Sequence, residues 1–428
     1  MMTRILVHGT FVSAPDPAFL DVRADSWLLA EDSRIVSLTG ERPADTEDAE
    51  VRDFGDYIII PPFTDIHLHA PQYLNRGLGQ DMQLLDWLEH HTYPEEKRFS
   101  DLEFAGSVFG ELIDELVHIG SLRTVIFSSL HADAALLLMQ MLAEAGLESY
   151  VGKVNMDCNG VPGLQETTEE SVRETLRWLD SCKELPPRVK PIITPRFAPS
   201  CTPALLTELG KIVEKYDLPV QSHLNETPEE VAWVAELFPD RSNYLDVYDY
   251  YGLLPRNKTI MAHCIYNTPA EDELLARRGV LMAHCPTSNL VLGSGIMNVK
   301  RYLGKGWRLG LGSDISGGES LSMHDIMHDA LKSSALICRS RNSLCERLNY
   351  AEIFHMATRG GSSFFGNCGA FEPDMPLDYL AIDDSMNTRH HDLTIEERLQ
   401  KFMFLGAGII KERCLGGRRL NAVGHAWD

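Results

Sequence analysis

Six residues of types that commonly bind metals occur at the carboxyl ends of short apolar segments in this 428-residue sequence. They are His67, His69, His223, His263, His284 and Asp314. A His-x-His pair, a further imidazole and a carboxylate supply four nitrogen and oxygen ligands, a set that suits zinc and leaves room for a water molecule. The spacing therefore indicates a hydrolytic metal site, and it leaves open which later histidine completes the set.

Each histidine taken alone has a simpler explanation, because a single histidine at a strand end is more often a hydrogen-bonded structural residue than a ligand. The combination of the His-x-His pair with the later residues favours a metal site over that explanation. His284, within Ala283-His284-Cys285-Pro286, is the exception. It fits a structural or substrate-lining role as well as it fits a ligand, so its role stays open.

A hydrolytic metal site also needs a group that carries protons, and Glu226 is the natural candidate. It follows His223 by three residues, in His223-Leu224-Asn225-Glu226, and is therefore close enough to reach the same water. The alternative is that Glu226 belongs to the acidic first turn of the helix beginning near Thr227. Glu229 and Glu230 fit that alternative better than Glu226 does.

Short apolar segments alternate with longer segments of helical periodicity from residue 57 onward, a pattern typical of βα units and a parallel sheet. The predicted strands are 57–67, 122–128, 150–156, 189–195, 218–223, 259–263, 280–284 and 307–314. The predicted helices include 132–146, 168–184, 202–216, 228–238 and 268–279. Eight such units predict an α/β fold with a (β/α)8 barrel of the TIM type, whose carboxyl strand ends meet at one face.

Both ends of the chain have a different pattern, with short β segments and Asp, Pro and Gly between them. Strands are predicted at 4–9 and 26–30, and again at 379–382 and 411–415 after a helix at 350–358. We therefore expect residues 1–60 and 365–428 to form one small β-sandwich domain, beside a barrel of residues 61–364.

The composition restricts the possible partners. Subtracting 62 acidic residues from 39 Lys and Arg residues gives a net charge of -23, which disfavours binding to nucleic acids and anionic membranes. The nine cysteines show no Cys-x-x-Cys pair, and the N-terminus lacks the apolar segment of a signal peptide. These features favour a cytoplasmic protein.

Seven motifs together resemble the amidohydrolase superfamily and, within it, the guanine deaminases. The resemblance covers the chain from about residue 57 to Gly416-Gly417-Arg418. The motifs are Thr64-Asp65-Ile66-His67-Leu68-His69-Ala70-Pro71-Gln72-Tyr73, Leu84-Leu85-Asp86-Trp87-Leu88, Pro195-Arg196-Phe197, Gln221-Ser222-His223-Leu224-Asn225-Glu226, Met261-Ala262-His263-Cys264, Ala283-His284-Cys285-Pro286-Thr287-Ser288-Asn289 and Gly310-Leu311-Gly312-Ser313-Asp314.

The resemblance implies the zinc-dependent hydrolytic deamination of guanine to xanthine and ammonia, which breaks a C–N bond of a cyclic amidine. One zinc ion per chain is implied, with His67, His69, His223 and Asp314 as ligands. The implied catalytic residues are Glu226, Asp314 and His263, with His263 contacting the activated water or the substrate. The implied contacts to guanine are His69, Gln72, Arg196, Phe197, His223, Glu226 and Asp314.

The same resemblance leaves alternatives open. The first alternative is that the enzyme deaminates another aminated heterocycle, such as 8-oxoguanine, a pterin or a triazine. The second, which fits the sequence less well, is a catalytically silent barrel that acts as an interaction protein. Relatives in the superfamily that bind two metal ions have a lysine at the end of the fourth strand. This chain has Thr194-Pro195-Arg196 there, so one metal is expected.

We also expect a homodimer. Residues 73–99 form a long connection that either covers the substrate or contributes to a subunit contact.

Overall fold

The computed structural model describes residues 3–340, 346–389, 392–406 and 408–421. Its strands, in chain order from β1 to β17, are Arg4–Asp16, Phe19–Glu31, Arg34–Thr39, Glu50–Ile60, Phe63–His69, Ser121–Phe127, Glu148–Gly152, Val154–Asn155, Val189–Pro191, Thr194–Pro195, Val220–Leu224, Thr259–His263, Leu281–His284, Leu309–Leu311, Tyr379–Asp383, Ile409–Leu415 and Arg418–Leu420.

The α-helices lie mainly between the strands of the central part of the chain. In chain order from α1 to α15 they are Leu84–Trp87, Tyr93–Glu96, Leu102–Ile119, Ala132–Ala145, Thr168–Ser181, Pro203–Tyr216, Pro228–Leu237, Tyr244–Tyr250, Pro269–Arg278, Pro286–Val291, Val299–Leu303, Met323–Ser340, Tyr350–His355, Ser385–Thr388 and Ile395–Leu405. None of the described helices is long and apolar enough to cross a membrane.

The strands β5 to β14 form the parallel ring of a TIM-type barrel. One arc has the order β5-β6-β7-β9 and the other β11-β12-β13-β14, while β8 and β10 extend β7 and β9 as a short parallel pair. A bridge between Ile193 and Val220 joins the arcs on one side. On the other side the Asp314 amide donates to the His67 carbonyl at 2.8 Å, which closes the ring next to the predicted ligands.

The helices begin and end at the residues whose chemistry predicts those boundaries. The helix α5 starts with a capping box, in which Thr167 and Glu170 each accept a hydrogen bond from the other's backbone amide. The helices α4 and α9 end at Gly146 and Gly279, which adopt left-handed φ angles of 85° and 64°. The predicted helices of the barrel are thus confirmed to within a few residues.

The first predicted strand, 57–67, is wrong in one respect. The structure divides it between β4 of the terminal sheet and β5 of the barrel, with Pro61 and Pro62 between them. Proline has no backbone N–H to donate to a sheet, so a strand rarely continues through two of them. One apolar segment therefore serves two sheets.

The two ends of the chain meet in one sheet with the order β17-β16-β15-β4-β1-β2-β3. The strands β1 and β4 pair in parallel, and all the other neighbouring strands of this sheet pair antiparallel. β1 and β2 are each 13 residues long, which is longer than the short segments predicted from the sequence. Within the described residues, the strands of the two chain ends form a single seven-stranded sheet, so the predicted β-sandwich, which needs two facing sheets, is not confirmed.

Candidate active site

Four predicted metal ligands lie together at the carboxyl ends of the barrel strands. His67 and His69 end β5 on the same face, because side chains alternate along a strand. His223 lies on β11, and Asp314 lies three residues after Leu311, the last residue of β14. One ligand atom from each of the four residues lies within 4.8 Å of the others. Within the described part of the chain, this is the one cluster of at least three such side chains with that spacing.

The donor set fits a metal ion. Nε2 of His67 is buried without a hydrogen-bond partner, although it lies 3.1 Å from an Asp314 carboxylate oxygen. Nε2 of His69 lies 3.2 Å from Nε2 of His223, so the lone pairs converge on one point. Nδ1 of His223 lies 2.6 Å from the Arg196 carbonyl, an acceptor only, so Nδ1 carries the proton and Nε2 is left as the ligand atom.

The protonation states also suit metal binding. Burial lowers the pKa of His69 to about 4, and it lowers the pKa values of His67 and His223 as well. Burial alone would raise the pKa of Asp314, but His67 and His69 beside it outweigh that effect and hold its pKa well below the ordinary value. At neutral pH the cluster thus presents three neutral imidazoles and one carboxylate, the forms that bind metal.

Glu226 lies beside this cluster, where the chain leaves β11. Its Oε2 is 3.4 Å from Nε2 of His263, and its Oε1 accepts a hydrogen bond from Ser294 Oγ at 2.9 Å. Burial, with the charge of Asp314, raises the pKa of Glu226 to about 8. This carboxyl group therefore holds a proton at neutral pH and is able to donate it.

His263 connects Glu226 to the metal cluster. Its Nε2 lies 3.9 Å from Oδ2 of Asp314, and its Nδ1 lies 2.9 Å from Oδ1 of Asn289. His263 and Asp314 have φ angles of 70° and 50°, which non-glycine residues seldom adopt. Backbone of this kind is costly, and it often occurs where a side chain must point at a functional site.

A cavity opens above the cluster, and the predicted substrate residues lie in its wall. Gln72, Arg196 and Phe197 line it together with Glu226 and His263. Its apolar wall also includes side chains that follow β5 and β13, namely Leu84, Trp87, Leu88 and Leu292. The cavity therefore combines a few polar groups with flat apolar surface, as sites for small aromatic molecules do.

The structure separates His284 from this group. Its ring is buried, and burial lowers its pKa to about 3, but it does not line the cavity and neither ring nitrogen has a hydrogen-bond partner among the described residues. Lys190, which the sequence places at the start of the fourth strand, faces the Tyr150 ring at 5.4 Å and is outside the cluster.

Sequence reasoning missed several groups that complete the site. Ser294 and Asn289 bond Glu226 and His263, and Glu230 accepts the Glu226 amide at 2.9 Å. Glu96, in the 73–99 connection, bonds two residues of the cavity wall. Two of them had a sequence signal, since Asn289 lies within one of the motifs that carry the resemblance and Glu230 follows Glu226 by one helical turn. The other contacts join residues far apart in the chain.

Comparison with known proteins agrees with this geometry. The model of the amidohydrolase family matches residues 58–412. Guanine deaminase of Mus musculus is 37% identical, over 97% of this chain and 96% of the relative. Guanine deaminase of Dictyostelium discoideum is 37% identical, over 84% and 81%.

Solved structures give the same result. The structure of guanine deaminase from C. acetobutylicum with bound guanine in the active site superimposes with a TM-score of 0.95 at 38% identity, covering 98% of this chain and all of that one. The resemblance inferred from the sequence motifs is thereby confirmed. The chain belongs to the amidohydrolase family.

Proposed function

We propose that this protein hydrolyses guanine to xanthine and ammonia. One observation carries the proposal: a single cavity is lined by members of the metal-competent cluster, by a protonated carboxyl group at Glu226, and by Arg196 and Gln72. The relatives named above, which are guanine deaminases over nearly the whole chain, support the same substrate.

His67, His69, His223 and Asp314 would hold one zinc ion. Zinc in such a site acts as a Lewis acid and lowers the pKa of water to about 7, so that hydroxide is available at neutral pH. The three imidazoles and one carboxylate match the ligands that zinc prefers, and the burial of His67, His69 and Asp314 supports a tightly held ion.

The acid–base steps fall to Glu226, His263 and Asp314. Glu226 donates its proton to the ring nitrogen next to the carbon that carries the amine, while water attacks that carbon. Asp314 and His263 orient the water and hold the proton that it loses. That proton passes through Glu226 to the departing amine, which leaves as ammonia. The hydroxyl proton that remains on the same carbon returns to Glu226 as the carbonyl bond forms, so Glu226 is again protonated and guanine and water give xanthine and ammonia.

Arg196, Gln72 and Phe197 would hold the base. Arginine donates hydrogen bonds and accepts none, so Arg196 suits the carbonyl oxygen of guanine and a ring nitrogen that carries no proton. Phe197 is buried against Trp233, with ring centroids 5.9 Å apart, and supplies a fixed apolar wall for a flat ring. Guanine carries no phosphate, so the net charge of -23 does not oppose its binding.

A spectrophotometric assay of guanine conversion to xanthine, with ammonia and zinc determined on the same sample, tests the proposal. We expect turnover with about one zinc per chain. A panel with 8-oxoguanine, a pterin and a triazine should show guanine as the preferred substrate. Zinc-loaded protein that releases no ammonia from guanine, but does so from another member of the panel, would contradict it.

We further propose a cytoplasmic homodimer, in which residues 1–60 and 365–428 form one domain and residues 61–364 another. Seven of the described cysteines form no disulfide, which supports a reducing compartment; they are Cys158, Cys182, Cys201, Cys264, Cys285, Cys368 and Cys414. The single sheet built from both termini supports the domain division.

Light scattering during size-exclusion chromatography tests the proposed dimer. A measured mass equal to that of one chain would contradict it.

A further inference from the structure

The connection between β5 and α3 contributes a buried carboxylate that hydrogen-bonds two residues in the wall of the candidate active site. Glu96 ends the short helix α2 and is 2% exposed. It is neither a proposed metal ligand nor part of the acid–base group. Carboxylates are seldom fully buried unless they are paired, so the contacts of Glu96 indicate what it does.

Glu96 bonds both polar residues that we propose contact the base. Its Oε2 accepts from Nη1 of Arg196 at 2.6 Å, and its Oε1 accepts from Nε2 of Gln72 at 2.8 Å. Tyr93, one helical turn earlier, places its ring 5.1 Å from Cζ of Arg196. One turn of helix thus holds the Arg196 side chain from two sides.

These contacts determine what the two side chains are able to offer to a ligand. A carboxylate only accepts, so the Gln72 atom that faces Glu96 is the NH2 group. The Gln72 carbonyl oxygen then accepts from the Ser316 amide at 3.3 Å, which fixes the amide orientation from both ends. Arg196 uses Nη1 for Glu96 and keeps its other N–H donors in the fixed plane of the guanidinium group.

We propose that Glu96 is a positioning residue that gives this site its selectivity for purines with a carbonyl group on the six-membered ring. This proposal rests on the proposed function. Glu96 holds the Arg196 donors and the Gln72 amide in the orientation that the carbonyl and ring nitrogen of guanine require. It also neutralises a buried guanidinium group, so the pocket stays suited to an uncharged base.

Glu96→Gln tests this proposal, because it keeps the shape of the side chain and removes its charge. The new amide turns an NH2 group toward Arg196 or Gln72, so one of the two contacts becomes donor against donor. We would measure binding of hypoxanthine, which has the ring carbonyl, and of purine, which lacks it, by calorimetry on zinc-loaded protein. Neither ligand carries the amine that the reaction removes, so binding is observed without turnover.

The unaltered protein should bind hypoxanthine about 10-fold or more tightly than purine, because the charge-assisted hydrogen bond from Arg196 to the ring carbonyl contributes about that much to the affinity. In Glu96→Gln the ratio of hypoxanthine affinity to purine affinity should fall toward one. The KM for guanine should rise about 10-fold, and kcat and zinc content should change little. Glu95→Gln is the matched control, because Glu95 bonds Arg98 at 2.8 Å outside the cavity. It should leave all four quantities unchanged.

A role limited to stability would lower the midpoint of thermal unfolding in Glu96→Gln and leave the hypoxanthine-to-purine ratio intact. That outcome overturns the inference, as does equal binding of the two ligands by the unaltered protein. Failure of the proposed function has a different signature, which is unaltered protein that binds these ligands and releases no ammonia from guanine.

Discussion

At the scale of single residues, two of the buried carboxyl groups of the site, Glu226 and Asp314, have opposite properties. Glu226 has a pKa raised to about 8 by burial and by Asp314, whereas Asp314 has a pKa held low by His67 and His69. One carboxyl group is therefore protonated and the other is ionised at the same pH. Such a division lets one group donate a proton while the other binds metal and orients water.

The first prediction concerns Glu226 as proton donor. Glu226→Gln keeps the size of the side chain and removes the exchangeable acid, so kcat for guanine should fall about 10²- to 10⁴-fold. Zinc per chain should be unchanged, because Glu226 is not a proposed ligand. The exposed neighbour Glu229 is the control, and Glu229→Gln should keep normal turnover. Near-normal activity of Glu226→Gln would remove Glu226 from the mechanism.

The second prediction is the pH dependence of the reaction. A carboxyl group with a raised pKa is protonated below that value and loses its proton as the pH rises through it. The proposed mechanism needs the acid form of Glu226, so kcat/KM for guanine should fall as the pH rises through about 8. A pH–rate profile of the unaltered protein and of Glu226→Gln measures this. The alkaline decline should be absent from the variant's residual rate, and its persistence there would assign the decline to another group.

The third prediction concerns the metal ligands. His67→Ala removes a buried imidazole whose Nε2 has no other partner, so zinc per chain should fall and activity should fall with it. Elemental analysis after dialysis against a chelator measures the loss. His118→Ala removes an exposed histidine on α3 and should retain the metal. Full zinc content in His67→Ala would show that the cluster is not the binding site.

At the scale of elements, the ends of the barrel strands and the connections after them build the site. β5, β11 and β12 supply histidines, and the loop that follows β14 supplies Asp314. The connection after β5 adds Trp87 to the cavity wall and Glu96 behind it, where Glu96 bonds Arg196. The strands thus set the geometry of the proposed metal site, and the connection after β5 shapes the cavity.

The fourth prediction concerns the helix that ends this connection. Asp101 begins α3, where its Oδ1 accepts hydrogen bonds from the amides of Glu103 at 3.0 Å and Phe104 at 3.3 Å. Asp101→Ala should lower the free energy of unfolding by about 1 kcal/mol, because both amides lose their partner. Denaturant unfolding measures it. Asp101→Asn retains an acceptor and should cost less, and equal losses in the two variants would contradict a capping role.

At the scale of the whole molecule, a buried ion pair joins the barrel to the chain that leads into the terminal sheet. Nη2 of Arg123, on β6, donates to Asp378 at 2.5 Å, and its Nε donates to Glu148 at 2.7 Å. Arg123 and Asp378 are both buried. This contact spans 255 residues of sequence and links the ring of strands to the C-terminal part of the chain.

The fifth prediction follows from that contact. Arg123→Met leaves Asp378 buried without its cation, so the free energy of unfolding should fall by about 3 kcal/mol. Arg173 forms an exposed ion pair with Glu174, so Arg173→Met should change stability little and is the control. Denaturant unfolding measures both variants. The folded Arg123→Met protein should keep the unaltered KM for guanine, since Arg123 does not line the cavity. A stability loss equal to that of the control would contradict the role of the pair.

The sequence alone determined the alternation of strands and helices and the residue types at the strand ends. Local chemistry explains this success, since apolar periodicity, capping residues and glycines act over a few residues, and a parallel barrel brings carboxyl strand ends together. The motif containing His67 and His69 therefore predicted a metal site. The division of the first strand at Pro61 and Pro62 had a local signal as well, because neither proline has an amide to donate.

Tertiary structure alone decided which side chains meet and how each one ionises. Burial holds a proton on Glu226 and keeps His67, His69 and His223 neutral, and burial depends on residues that the chain brings in from far away. His263 and His284 end neighbouring strands, yet only His263 faces the cavity. Glu96 reaches Arg196 across 100 residues of sequence. Contacts over such distances leave no periodic pattern in a single sequence, so only the folded chain reveals them.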